Sequence, residues 1–365
     1  MSAPETPAPP GVRMRATYRD IELYAPDRRP APIDLSDNTN RWGVPPAALR
    51  TLRETAESSA TRYPDLYSAQ LKRAIAQYVG VDPSMVVTGC GSDDILDSAV
   101  RAFAEPGEGV AMAEPSFPMV PLFARMNGLS VHSTRLTAAF DIDVDDLLST
   151  DAAVVYVCSP NNPTGTVVPL TTIDRIIAQA HGIVIVDEAY VEFAGASVAA
   201  LVNNAPRLLV VRTMSKAFGL AGLRIGYAIG APSLVAEVEK SRGPYKVSAV
   251  AERAGVAALT DDLDWVRARI ADAIAARSVL SAAFERRGLH PLPSASNFVL
   301  VPVRNAETIS LRMRERGVAV RAFARLGVHP AVRATDGGAL RITVAPAAEM
   351  DAALAAFDEA RSACE

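Results

Sequence analysis

The chain of 365 residues is too long for one small core, and with 49% of its residues apolar it can bury a large core without metals or disulfides. A formal charge of -4 argues against a nucleic-acid or membrane-surface partner, and no apolar run approaches the roughly 20 residues that a membrane-spanning helix needs. Three cysteines without regular spacing, Cys90, Cys158 and Cys364, argue against a disulfide framework and a zinc site and point to a reducing compartment, so a cytoplasmic protein is expected.

Met1 to Pro10 is rich in Pro and Ala and lacks the basic start and apolar core of a signal peptide, so a tail is expected there. Ile33 to Gly43 is polar and turn-rich, and Pro45-Pro46 opens a helix that runs through Leu49 and Leu52. A second helix carries Leu66, Leu71, Ile75 and Val79, with Asp65 as its cap and Tyr63 just outside. Met85-Val86-Val87 reads as a strand that leads through Gly89-Cys90-Gly91-Ser92-Asp93-Asp94 into a helix carrying Ile95, Leu96, Ala99, Val100 and Phe103. A strand, a glycine turn and a helix N-terminus leave unpaired N–H groups where a phosphate can sit, although Ser92-Asp93 serves equally as an ordinary N-cap.

Val110 to Ala113, Ser130 to Ser133, Ala153 to Val157, Gly182 to Val186, Leu208 to Val211 and Ile225 to Ile229 read as further strands. Helices ending at Met126 and spanning Thr172 to Ala180 lie between them. Val/Ile runs that alternate with helices indicate a mostly parallel sheet covered on both faces, whose ligands collect beyond the carboxyl ends of the strands. The Ala-rich stretch from Val247 to Arg286 reads as one long helical connection. Beyond it, strand Ser296 to Val301, helix Glu307 to Arg316, strands Val318 to Arg321 and Leu340 to Val344, and a final helix from Met350 suggest a small α/β unit. The expected fold is α/β, with a tail and arm over 1–40, a large domain with a mostly parallel sheet over 41–255 and a smaller domain over 256–365.

Three loops fall at the ligand edge of that sheet. Ser159 to Gly165 follows one strand, Asp187-Glu188-Ala189-Tyr190 follows another, and Lys216 stands on the connection between Leu208–Val211 and Ile225–Ile229. A lysine that is desolvated or held near another cation loses its proton more easily, and its free amine condenses with an aldehyde. Thr213, Ser215 and Arg224 would make a phosphate pocket around that amine; without such company Lys216 is a solvated loop residue. An aspartate at a buried strand end needs a cation or hydrogen bonds, which leaves Asp187 as either a helix cap or a counter-charge. An amine, a carboxylate, a tyrosine, an asparagine, a phosphate cradle and an aromatic are the parts that hold pyridoxal phosphate, a cofactor that acts as an electron sink.

Asn162-Pro163-Thr164-Gly165, Asp187-Glu188-Ala189-Tyr190, Ser215-Lys216 with Arg224, and Leu340-Arg341-Ile342-Thr343-Val344 resemble fold-type I aminotransferases, most nearly the histidinol-phosphate branch. The resemblance covers nearly the whole chain after about Tyr24. It implies that Lys216 forms the internal aldimine with pyridoxal 5'-phosphate and moves the substrate proton, and that Asp187 keeps the pyridinium protonated. It further implies that Asn162 and Tyr190 bond the ring oxygen, that Phe117 stacks on the ring, and that Gly91, Ser92, Asp93, Thr213, Ser215 and Arg224 hold the phosphate. Tyr63 would reach the phosphate in the neighbouring subunit of a homodimer, and Tyr24, Asn40, Asn297, Arg321 and Arg341 would form the substrate pocket. An arginine suits that pocket because its planar fork meets a carboxylate or phosphate in two hydrogen bonds. The implied reaction passes an amino group from histidinol phosphate to 2-oxoglutarate.

The chain departs from the family pattern in three places. Asn38-Thr39-Asn40-Arg41 stands where an Asn-Glu-Asn-Pro loop is usual, Phe117 replaces a tyrosine, and Ala322 to Leu340 is longer than usual and carries Arg325, His329 and Arg333. All three changes touch substrate choice more than cofactor binding. They keep open an aromatic or specialised-metabolite aminotransferase and a phosphothreonine-type decarboxylase on the same cofactor. A ligand sensor attached to a DNA-binding module is disfavoured by the charge and by the short segment ahead of Pro45.

Overall fold

Continuous Val/Ile runs arise here because the sheet they build is covered on both faces. The computed structural model describes residues 11–19, 21, 29–326, 332 and 334–364. Its strands are β1 (Ile33–Asp34), β2 (Val86–Cys90), β3 (Gly109–Glu114), β4 (Ser130–Arg135), β5 (Val154–Cys158) and β6 (Ile183–Asp187). They continue with β7 (Leu208–Thr213), β8 (Ile225–Gly230), β9 (Phe298–Pro302), β10 (Val318–Ala319), β11 (Arg321–Phe323) and β12 (Ala339–Thr343). Seven of them form one sheet in the order β2-β8-β7-β6-β5-β3-β4. Within it β8 runs antiparallel to both neighbours and the remaining pairs are parallel. Successive residues alternate between two apolar layers, so Val184, Val186, Leu208 and Val210 pack on one face while Ile183, Ile185, Leu209 and Val211 pack on the other.

The C-terminal part has its own antiparallel sheet, ordered β11-β12-β9. Helices Ala306–Glu315 and Ala347–Ser362 accompany it. The single strand expected over Val318 to Arg321 is split, because β10 pairs in parallel with β1 while β11 pairs with β12. The segment ahead of residue 41 is therefore stitched to the C-terminal part through Ile33 and Asp34, although Met1 to Pro10 lies outside the described residues. Among the described residues no helix is long and apolar enough to cross a membrane.

Two helices differ from expectation for local reasons. The one expected from Leu66 starts at Ala69, since Ser68 adopts a left-handed φ of 54° while Asp65 Oδ1 accepts the N–H groups of Tyr67 and Ala69 at 3.1 and 3.0 Å. The long stretch from Val247 to Arg286 is two helices, Ala249–Thr260 and Leu263–Glu285. At the break the buried Asp262 carboxylate accepts the N–H groups of Ala47 and Ala48 at 2.7 and 3.2 Å. Those are orphan donors in the first turn of helix Pro46–Arg53, whose own N-cap, Pro45, has no side-chain acceptor. A cap supplied from 215 residues away ties the start of the large unit to the helix pair that leads out of it. Asp262→Ala is expected to lower unfolding stability by about 1–2 kcal/mol, the usual cost of a lost cap. Urea titration would show this as a lower midpoint; an unchanged midpoint would contradict it.

Candidate active site

The carboxyl ends of β3, β5, β6 and β7 meet at one edge of the large sheet, and antiparallel β8 contributes its beginning there. Facing this edge, β11 and β12 present Arg321, Phe323 and Arg341. The space between is a cleft of about 1130 Å³.

Lys216 lies on its floor. Of the four lysines in the chain, Lys72, Lys240 and Lys246 pair with Glu239, Glu237 and Asp94 at 2.5, 2.6 and 2.9 Å. Lys216 instead donates from Nζ to the Asp37 backbone carbonyl at 2.9 Å, with the Tyr190 ring centroid 5.8 Å away. Burial, reinforced by the positive charge of Arg341 and Arg224 against the opposing pull of Asp93 and Asp187, brings its amine down from 10.5 to about 7. Between these values the unfolded chain binds a proton that the folded chain has lost. This group's contribution to the stability of the cofactor-free protein therefore rises with pH across that window.

Asp187 closes β6 as a buried carboxylate. Burial raises it from 3.8 to about 6, partly offset by the Tyr156 hydroxyl, which donates to Oδ2 at 2.8 Å, and by the Ala189 N–H, which donates to Oδ1 at 3.0 Å. It is thus mostly ionised at neutral pH and has two of its acceptor positions filled. The neighbouring Glu188 turns the other way and pairs with buried Arg212 at 2.8 Å, while its carboxylate also accepts from Ser197 and Val198 at 2.8 and 2.7 Å. This anchored loop presents Tyr190, whose hydroxyl accepts from Asn38 Nδ2 at 2.9 Å and whose acidity burial weakens to about 12. Its ring meets Phe298 edge to face at 5.3 Å.

An anion cup occupies one end of the cleft. Helix Gly91–Phe103 points its N-terminus there, so first-turn N–H groups lie beside the Ser92 hydroxyl. Gly91 has φ +82°, and a Cβ on it would stand 2.4 Å from Arg224 Nη2, so only glycine admits that guanidinium. Arg224 itself holds a left-handed φ of 52° immediately before β8 and reaches Asp93 at 3.4 Å. Burial raises the Asp93 carboxyl against the pull of Arg224 and Lys216. The Thr213 hydroxyl accepts the Ser215 N–H at 3.1 Å, holding both residues at the same rim.

At the other end Arg341 donates to Asn162 Oδ1 and to the Ser36 carbonyl, each at 2.6 Å, and its guanidinium lies 5.4 Å from the Phe298 ring centroid. Arg321 stands directly opposite it across the β11–β12 pair. Two arginines facing each other on adjacent strands repel, and an anion between them relieves that cost.

The cleft therefore brings together Lys216, Asp187, Tyr190, Ser92, Asp93, Phe117, Asn162, Thr213, Ser215, Arg224, Arg321 and Arg341. Other expected residues stand elsewhere. Asn40 does not line the cleft: its Nδ2 donates to the Ala217 carbonyl at 3.0 Å and its Oδ1 accepts from the Trp42 N–H at 2.8 Å, so it braces the residue after Lys216. Asn297 is buried behind the cleft and donates to the Asn38 carbonyl at 2.9 Å. Tyr63 is exposed and stacks on Tyr245 at 4.9 Å, outside its own chain's cleft. Tyr24, His329 and Arg333 lie outside the described residues. Sequence reasoning missed Tyr156, Asn38, Arg135, Phe323 and the position of Arg325, all of which touch or line the site. Tyr156 left one signal, a hydroxyl-bearing ring inside a buried strand that has to find a partner. Among the described residues no cluster of His, Cys, Asp and Glu could hold a metal ion.

The fold and the cleft together define an enzyme of amine chemistry, with one half-buried amino group set between an anion cup and a buried carboxylate. Residues 30–357 match the family model of class I and II aminotransferases, and the chain belongs to that family. It is 37% identical over 318 residues to the histidinol-phosphate aminotransferase of Roseiflexus castenholzii, covering 84% of this chain and 85% of the relative. It is 36% identical over 334 residues to the histidinol-phosphate aminotransferase of Aromatoleum aromaticum, covering 88% and 94%. The crystal structure of the histidinol-phosphate aminotransferase of Sinorhizobium meliloti in complex with pyridoxal-5'-phosphate superposes with a TM-score of 0.86 at 26% identity, over 97% of this chain and 98% of that one.

In the cofactor-free protein, acetic anhydride labelling of Lys216 is expected to be half-maximal near pH 7. Peptide mapping across a pH series would show this, and a midpoint near the ordinary lysine value would contradict the buried-amine account.

Proposed function

We propose that the chain is a pyridoxal-phosphate-dependent aminotransferase that passes the amino group of L-histidinol phosphate to 2-oxoglutarate. The observation that carries this reading is the Lys216 amine, brought to about 7 on the floor of a cleft whose two ends are an anion cup and an arginine pair. The donor set fits the cofactor. The Gly91 turn, which a Cβ would fill, lies with Ser92, Thr213, Ser215 and Arg224 where a phosphate monoester is suited, and the Asp187 carboxylate retains acceptor capacity for a protonated ring nitrogen. Asn162 and Tyr190 would meet the ring oxygen, and Phe117 would cover the ring face.

Once bound, the cofactor supplies an aldehyde and an electron sink for carbanion chemistry. The chain's own part is orientation and proton handling. Lys216 Nζ, close to half unprotonated at neutral pH, serves as the base that takes a proton from the substrate carbon bearing the amine and returns it elsewhere. Its hydrogen bond to the Asp37 carbonyl holds the amine against the Tyr190 ring until it is needed. Asp187, held by the Tyr156 hydroxyl, would pair with a protonated ring nitrogen and so favour the cofactor's role as an electron sink. Arg341, pinned by Asn162 and Ser36, orients the anionic end of the substrate.

Relatives named histidinol-phosphate aminotransferase over most of their length support this substrate above an aromatic amino acid or a decarboxylation. We also divide the chain into a large unit over 41–255 and a smaller one over 256–365, with the arm before residue 41 bridging them; the two separate sheets support two units, while residue 255 falls within helix Ala249–Thr260. We further read the protein as a cytoplasmic homodimer in which Tyr63, exposed beside Tyr245, reaches the partner's cofactor phosphate.

Purified protein is expected to absorb visible light when supplied with pyridoxal phosphate, and Lys216→Ala is expected to lower kcat by at least about 10²-fold, the low end for a lost general base. Retained turnover in that variant would overturn the assignment. Arg341→Ala is expected to raise the apparent KM for 2-oxoglutarate about tenfold or more; an unchanged value would remove Arg341 from the anion site.

A further inference from the structure

Among the charged groups lining the cleft, six are basic and four are acidic. Most of them are accounted for. Lys216 and Arg224 belong to the cofactor end, Arg341 is held by Asn162, Asp187 by Tyr156, and Asp93 lies against Arg224. Glu114 ends β3 in register with Arg135 on β4, so an acid and a base share that wall, with no ion pair between them. At the opposite wall the side chains of Arg321 and Arg325 have neither a hydrogen bond nor an ion pair among the described residues, and no acidic lining residue comes from their element.

The backbone fixes where Arg325 stands. Strand alternation puts Arg321 and Phe323 on one side of β11, and Arg325, two residues beyond its end, lines the cleft with them. The next residue, Leu326, is buried against Leu292, Leu300, Val332 and Ala339, and its N–H donates to the Gly337 carbonyl at 2.7 Å. Gly337 has φ +84°, and a Cβ there would stand 3.2 Å from the Arg325 Cα, so the two arms of the long connection close at Arg325 only because a glycine faces it. Thr335, whose hydroxyl donates at 2.8 Å, and Arg304, which donates to the Ala334 carbonyl at 3.2 Å, hold the returning arm. Arg325 is exposed, yet it projects from a pinned base.

We propose that Arg325 is a specificity-determining residue that binds the outer anionic group of the amine donor, selecting a phosphate monoester over a neutral alcohol or a lone carboxylate. A dianion with three terminal oxygens can accept from several arginines at once, so a third guanidinium lining the same cleft as the Arg321 and Arg341 pair favours phosphate over carboxylate. The residue sits at the start of the connection from β11 to β12. The inference rests on the aminotransferase reading above and sharpens its substrate side.

The test compares L-histidinol phosphate with L-histidinol as amine donors in the wild type, Arg325→Ala and Arg325→Lys. For Arg325→Ala, kcat/KM with the phosphorylated donor is expected to fall about tenfold or more, chiefly through KM, as befits one lost charge-assisted hydrogen bond. The value with L-histidinol should change far less, and Arg325→Lys should restore part of the loss. Equal changes for both donors, or none, would overturn the proposal. A wild type that turns over neither donor would instead overturn the substrate reading. Inhibition by phenyl phosphate with glutamate as amine donor then decides the role of Arg325: weaker inhibition in Arg325→Ala supports it and unchanged inhibition overturns it.

Discussion

The structure depends on holding one amine half-buried on the floor of a cleft. An ammonium shielded from water is costly, and here the arginines nearby raise that cost while two carboxylates lower it. The balance leaves Lys216 close to neutrality at physiological pH, nucleophilic enough to meet an aldehyde and basic enough to take a proton. Asp187 moves in the opposite sense and still ends mostly ionised, since the Tyr156 hydroxyl and the Ala189 N–H meet its negative charge. Two groups of opposite ordinary charge thus approach neutral pH from opposite sides, which lets one floor hold both a base and a counter-charge.

The surrounding fold exists to hold these two positions. Parallel strands deliver Asp187 and Thr213 to one edge, and the antiparallel β8 reverses direction so that Arg224, just ahead of it, arrives at the same edge as the helix N-terminus after β2. Behind the cleft, the Arg212–Glu188 pair fixes the loop between Asp187 and Tyr190. Breaking such a buried pair leaves an uncompensated charge, so the loop has little freedom to move. The C-terminal sheet supplies the opposite wall, where arginines are set for an anion, and β1 joins that wall to the loop carrying Asp37 and Asn38.

Strands of the large sheet were readable because burial on both faces demands unbroken apolar runs, and the cofactor loops were readable because several chemistry-bearing residue types recur together at strand ends. What escaped depends on contacts across long separations or on backbone choices with no local signature. Asp262 caps a helix more than two hundred residues earlier, and nothing near it announces that acceptor role. Tyr156 occupies a strand position that any large apolar residue could fill, and its partner comes from the next strand. Asn38 and Asn40 lie on one turn-rich loop. Asn38, with a left-handed φ of 56°, meets Tyr190, while Asn40 turns to the Ala217 carbonyl. The split of Val318 to Arg321 into two strands follows from a two-residue pairing with Ile33 and Asp34, too short to leave a periodic pattern.

Borohydride reduction of the pyridoxal-phosphate-loaded protein followed by peptide mapping tests the central claim most directly, because it marks the nitrogen that carries the cofactor. The account predicts a phosphopyridoxyl adduct on the peptide containing Lys216 and on no peptide containing Lys72, Lys240 or Lys246, whose amines are held by carboxylates. An adduct on one of those three, or a Lys216 peptide recovered unmodified from coloured protein, would contradict it.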